Sequence, residues 1–189
     1  MTTTISRTKS LNIFGITDKL GPYDEMPVLP AGVDPQPVLS RNDRPQPFFL
    51  ICAKDVVVAQ MSGSGDIEFR YSNVLRHHLE PADVVYVPAG TPHRFVPTEE
   101  SLQLRYKAQR PGMEAVCWFC SSCDAELWRH EFDADAIPPQ QGYLDGCGLF
   151  NANQARRTCG TCSTVHPPVD LEGFRWEQIA DELAKEQTA

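Results

Sequence analysis

The chain has 189 residues, 41% of them hydrophobic, with a formal net charge of −8 and a pI near 5.1. That suffices for one domain with a real core and a small appendage. The acidic balance repels phosphate backbones and argues against nucleic acid as a partner. No apolar run approaches the ~18 residues that a membrane helix needs.

The first dozen residues lack the apolar stretch of a secretory signal, which places the chain in the cytoplasm. In that reducing setting its seven cysteines are expected to bind metal rather than oxidise. Residues 1–46 read as an irregular lead-in packing on the rest. Leu11, Ile13, Phe14 and Ile16 suggest one short element, and seven prolines between Gly21 and Pro47 suggest extended or looped chain.

From Phe48 the pattern turns to strands. Phe48–Cys52 is an apolar run, and Val56–Met61 ends in the turn Ser62-Gly-Ser-Gly65. Asp66–Tyr71 alternates, with Ile67, Phe69 and Tyr71 on one face; Val74–Leu79 and Asp83–Val87 follow. A short strand starts at His93, and Leu102–Ala108 alternates again, with Leu102, Leu104 and Tyr106 on one face. Short strands punctuated by regular turns predict a mainly β fold, a sandwich or barrel over residues 47–114. Residues 115–168 form a metal-binding extension. Residues 169–189 read as a terminal helix with Asp170 able to cap it and Phe174, Ile179 and Leu183 on its packing face.

Two C-x-x-C pairs, Cys120/Cys123 and Cys159/Cys162, carry the strongest chemistry. Each puts two thiols on one tight turn, and four thiolates suit a tetrahedral zinc or ferrous ion. Such a site is closed to substrate and therefore structural. A redox role is the weaker reading, because no thioredoxin-like βαβ pattern surrounds either pair. Asp124 and Ser163 stand where knuckles often place glycine. Cys117 is close enough to compete as a ligand; Cys52 and Cys147 read as core or loop thiols. His130 and His166 are expected to hydrogen-bond around the thiolates.

The second motif is Pro88-x-Gly90-x-x-His93. Gly90 permits the turn, and His93 then enters a strand with its ring toward the barrel, as a metal ligand or as a hydrogen-bonded core residue. The motif resembles the second conserved motif of the cupin superfamily. Together with the cysteine pairs it resembles the bacterial 3-hydroxyanthranilate 3,4-dioxygenase family, from about Phe48 to Pro167. The stretches that carry the likeness are Leu79–His93, Gln109-Arg-Pro-Gly-Met113, Trp118–Cys123 and Arg157–Pro167.

The resemblance implies a cupin barrel with a C-terminal rubredoxin-like metal knuckle, a homodimer, and ring-opening dioxygenation of a small aromatic acid. It implies non-catalytic zinc or iron on Cys120, Cys123, Cys159 and Cys162, and catalytic Fe(II) in the barrel on two histidines and one glutamate. Here the pattern departs: there is no histidine before His77. The family's first histidine falls near Leu50, its glutamate near Asp55 or Val56, its substrate-clamping carboxylate near Lys107, and its arginine near Pro97, with Arg94 close by.

His93 alone survives by motif. His77 and Asp55 could rebuild a triad with it; otherwise His77 and His78 are an exposed pair. Arg105 and Lys107 are either a solvated strand face or the recognition site for a substrate carboxylate, with Arg94 a third candidate. Tyr86 and Gln60 are the expected neighbours of His93. Two functions follow: a divergent dioxygenase-like enzyme with an altered or absent barrel iron, or a non-catalytic cupin that binds a ligand or partner.

Overall fold

The computed structural model describes residues 7–187, and the ends of both the lead-in and the terminal helix lie outside the described residues. Eleven strands form two antiparallel sheets. They are β1 (Met26–Pro27), β2 (Gln36–Asn42), β3 (Phe49–Cys52), β4 (Val56–Ser62), β5 (Gly65–Phe69), β6 (Arg76–Leu79), β7 (Val84–Val87), β8 (His93–Pro97), β9 (Ser101–Lys107), β10 (Met113–Phe119) and β11 (Glu126–Asp133). The first sheet runs β1-β2-β9-β4-β7 and the second β11-β10-β3-β8-β5-β6. Faced together they make the two-sheet β-barrel that the strand pattern predicts. Two helices follow, α1 (Pro139–Ala152) and α2 (Trp176–Gln187). No helix among the described residues is long and apolar enough to cross a membrane.

The core lies between the sheets, where Leu50, Val58, Ile67, Phe69, Leu79, Val87 and Phe95 are all buried. These are the inward positions of period-2 strands. Strands β3 to β9 fall where the alternation predicts them. On β9, however, the apolar set points outward. Leu102 and Leu104 meet Leu20, Met26, Ile179 and Leu183 under the lead-in and α2. The opposite set, Gln103, Arg105 and Lys107, is buried too and faces the barrel.

The lead-in is more ordered than its prolines suggest. Its strand β2 sits second from the sheet edge and pairs with β9 from Gln36↔Lys107 to Asn42↔Ser101. Asp24 fastens the segment before it, accepting from Gly21 N at 2.6 Å and pairing with Arg175, the residue before α2. The cysteine pairs are separated by more than a loop, since β11 and α1 lie between them. Helix α1 carries Gly142 against the Phe132 ring and Gly146 against Val116, where an added Cβ would stand 2.4 Å from each. Close packing therefore sets this helix, against the poor helix propensity of glycine. Asp170 caps a turn at Glu172 rather than α2, which starts at Trp176.

Candidate metal centre and barrel interior

Strand β10 ends at Phe119 and runs directly into Cys120. The two knuckles are near copies. Asp124 N donates to Cys120 O, and Ser163 N to Cys159 O, each at 2.9 Å. Ser122 N points at Cys120 Sγ, and Thr161 N at Cys159 Sγ, each at 3.4 Å. Asp124 and Ser163 take φ of 57° and 61°, the left-handed conformation for which glycine is usual.

The four Sγ atoms lie within 4.8 Å of one another. Neighbouring sulfurs are 3.5–3.6 Å apart, far beyond a disulfide's roughly 2.05 Å. A metal–sulfur bond of about 2.3 Å gives a tetrahedron edge of about 3.8 Å, so the donor set fits a zinc or ferrous ion. Cys120 and Cys159 are buried and Cys123 and Cys162 exposed. His166 Nε2 lies 3.4 Å from Cys120 Sγ, supporting the thiolate from outside. Contact with the Thr164 hydroxyl and backbone N–H pulls the Cys162 thiol down to about 6. His130 stacks on Trp128 and Phe132 instead of joining the thiolates. Cys117 is buried beside Phe49 O, outside the four-thiol group.

In the barrel, the Gly90 turn (φ 76°) is tied to β3 by Gly90 N donating to Cys52 O. His93 then pairs in register with Leu50 and Phe69 and is fully buried. Its Nδ1 lies 3.1 Å from Thr91 O. A carbonyl only accepts, so Nδ1 carries the proton and Nε2 presents a bare lone pair. No protein group meets that lone pair. Burial, then the charge on Arg105, push His93 down to about 3, and it is neutral at ordinary pH.

Arg105 is also fully buried. Its Nη1 donates to Glu25 Oε1 and its Nη2 to Gln46 Oε1, both at 2.7 Å. Glu25 Oε2 in turn accepts from the Tyr143 hydroxyl at 2.7 Å. Lys107 Nζ pairs with Glu114 Oε1 at 2.6 Å. Burial is the largest influence on Lys107 and opposes its charge, but the neighbouring groups, Glu114 first with Cys52 and Glu25, together hold the ammonium above its ordinary range. Each interior cation thus has its own interior carboxylate.

The structure brings His93, Arg105 and Lys107 to the inward side of the barrel and leaves the rest of the expected set elsewhere. His77 lies on the exposed edge strand β6. Asp55 is exposed and accepts from Ala89 N at 2.9 Å. Tyr86 is 59% exposed, because alternation turns it away from Val85 and Val87. Arg94 faces outward to Glu68 at 2.7 Å. Gln60 is buried, but its amide serves Ser62 O, Gly63 O and Gln103. Among the described residues the only group of three or more metal donors is the four cysteines. The barrel's donor set therefore does not fit an iron held by two histidines and a carboxylate.

Glu25, Gln46, Glu114 and Tyr143 were not legible as interior residues. Glu25 and Tyr143 arrive from the lead-in and from α1, which no strand pattern marks.

No protein-family model matches the chain. It is similar to curated proteins named 3-hydroxyanthranilate 3,4-dioxygenase. The one from Brucella anthropi is 32% identical over 92 residues, 47% of this chain and 50% of that protein. The one from Jannaschia sp. is 34% identical over 77 residues, 38% and 39% of the two chains. The one from Neosartorya fischeri is 26% identical over 89 residues, 46% and 45%. The chain thus spans about half the length of the curated relatives it matches. Among solved structures, hydroquinone 1,2-dioxygenase from Sphingomonas sp. TTNP3 gives a TM-score of 0.47 at 18% identity, covering 55% of this chain and 33% of that one. A cupin-2 domain protein from Shewanella frigidimarina gives 0.35 at 20%, covering 39% and 69%. The resemblance read from the motifs is borne out, as that of a divergent relative over about half of the chain.

Proposed function

We propose that this chain is a dioxygenase-type cupin whose barrel does not assemble an iron site, and that it binds a small aromatic molecule rather than opening its ring. The isolation of His93 carries this reading. Among the described residues no group of three donors includes His93, and an imidazole without two further ligands would hold Fe(II) only weakly. Zinc or iron on the four cysteines then serves stability alone. The exposed Val84 and Tyr86 on the edge strand β7 support a homodimer, and the free thiols support a reducing compartment such as the cytoplasm.

A second reading, an enzyme acting on an aminophenol or hydroxyanthranilate-type acid, is favoured by the unpartnered Nε2 of His93. It requires a metal or a substrate donor at that lone pair. It also requires Arg105 or Lys107 to exchange its carboxylate for that of the substrate.

Elemental analysis and a turnover assay separate the two. The expected result is one metal per chain, lost in Cys120→Ser, and no ring opening of 3-hydroxyanthranilate with Fe(II) supplied. A second metal that disappears in His93→Ala, together with turnover, would overturn the proposal in favour of the enzyme.

A further inference from the structure

A cavity of ≈260 Å³ opens where the lead-in, the end of β9 and the start of α1 meet. Arg7, Glu25, Pro27, Lys107, Pro138 and Gln140 are among the residues that line it, and Arg105 is not. Glu25 stands between the two. Its side chain reaches the cavity on one side and lies 2.7 Å from Arg105 Nη1 on the other.

The Glu25 carboxylate is held there as a bound ligand would be. Arg105 Nη1 donates to Oε1 and the Tyr143 hydroxyl donates to Oε2, each at 2.7 Å. One donor for each oxygen, with one donor charged, suits a planar monoanion. A phosphate would bring more oxygens than these donors serve and, as a dianion, more charge than one guanidinium balances.

The backbone at this point is pinned separately. Gln140 Nε2 donates to Asp24 O at 2.9 Å and to Glu25 O at 3.0 Å. The side chain can therefore leave Arg105 while the lead-in stays in place, and the cavity beside it gives it room.

We infer that Arg105 and Tyr143 form a binding site for a small monocarboxylate, that Glu25 is its resident occupant and keeps it shut, and that the cavity is the way in. An incoming carboxylate exchanges with Glu25, whose side chain turns into the cavity. The exchange conserves charge, because Arg105 keeps one anion. The released glutamate meets solvent and Arg7, which pairs through Nε with Glu186 at 3.0 Å and has further N–H groups to offer. The ligand's body lies where the Glu25 methylenes run, toward Pro27 and Pro138, and so is compact and apolar. The inference rests on the proposed aromatic ligand for that body only, and not for the anion site. Glu25 is tethered and competes at high effective concentration, which keeps free carboxylates weak in the wild type.

Acetate and benzoate, with acetamide and benzamide as neutral counterparts, are titrated at constant ionic strength into the full chain and followed by NMR. The proteins are the wild type, Glu25→Ala, and Glu25→Ala combined with Arg105→Met. Acetate is expected to bind Glu25→Ala at least about tenfold more tightly than the wild type, because the tethered competitor is gone. Acetamide should bind that variant at least about tenfold more weakly than acetate does, and Arg105→Met should abolish the gain. Equal acetate affinity in the wild type and Glu25→Ala overturns the inference. So does acetamide matching acetate, and so does a gain that survives Arg105→Met. If Glu25→Ala is unfolded alone, refolding by acetate and not by acetamide supports the inference, and refolding by neither overturns it. Benzoate reports on the body: acetate binding without benzoate binding upholds the anion site and overturns the aromatic ligand instead.

Discussion

Glu25 Oε1 lies 2.7 Å from Arg105 Nη1, with both side chains almost fully buried. A residue of the proline-rich lead-in thereby neutralises a cation on the inward face of a central strand. Glu25 holds a φ of 51° to do so, and Tyr23 a φ of 48°. The segment is held in this strained form by what it contacts: Asp24 on Arg175, and Glu25 on Arg105 and Tyr143.

Glu25→Ala should therefore be strongly destabilising, by about 3–5 kcal/mol, because it leaves Arg105 buried and unpaired. Added benzoate or acetate should restore part of the loss in this variant and leave the wild-type melting temperature unchanged. Thermal melts with and without the anion check this. A loss under 1 kcal/mol would show that water reaches Arg105.

His93 sets a pH dependence. Its folded pKa, about 3, lies below its ordinary 6.5, so between those values the unfolded chain binds a proton that the folded chain does not. Its contribution is complete above pH 6.5 and is lost as pH falls toward 3, by on the order of 5 kcal/mol in all. His93→Asn keeps a donor for Thr91 O and cannot titrate. Its stability should fall less steeply than that of the wild type over this window. Parallel curves from chemical denaturation at several pH values would show His93 to be accessible to protons in the fold.

Removal of the metal should unfold more than the knuckle. Structural zinc supplies on the order of 10 kcal/mol, so Cys120→Ser or a strong chelator should lower the melting temperature sharply. Ser163→Gly should act in the other direction, relieving the left-handed φ of 61° by about 1 kcal/mol. A Cys120→Ser protein that melts like the wild type would remove the structural role of the site.

Gly146→Ala should destabilise by about 1–3 kcal/mol through overpacking against Val116, although alanine gains about 1 kcal/mol in helix propensity. Gly148, which has open space around its Cβ position, should show the opposite sign. Paired melts of the two variants test whether packing alone sets the glycines of α1.

Much of the barrel was legible because its strands have one apolar face, and alternation reads directly from residues such as Ile67 and Phe69. The knuckle was legible because four thiols at that spacing have few other uses. What sequence could not supply was the partner of each interior charge. Arg105 and Lys107 look like a solvated face beside Leu102 and Leu104, and only the fold reveals that both strand faces are covered. Glu25 is 80 positions away from Arg105, a separation no local pattern encodes. The missing iron ligands were legible as an absence, whereas their replacements, His77 and Asp55, failed on exposure, which spacing does not report.

The thirty-five residues between Cys123 and Cys159 contain β11 and α1. One ion on the four thiolates closes that whole stretch into a ring, and so lowers the entropy of the unfolded chain as a cross-link does. The ring holds Tyr143, whose hydroxyl meets Glu25. An ion there would thus act as a clasp on the segment that carries Tyr143 to this charge. If the ring tightens the unfolded chain in this way, metal occupancy should raise the stability of the Tyr143–Glu25 contact as well as that of the knuckle.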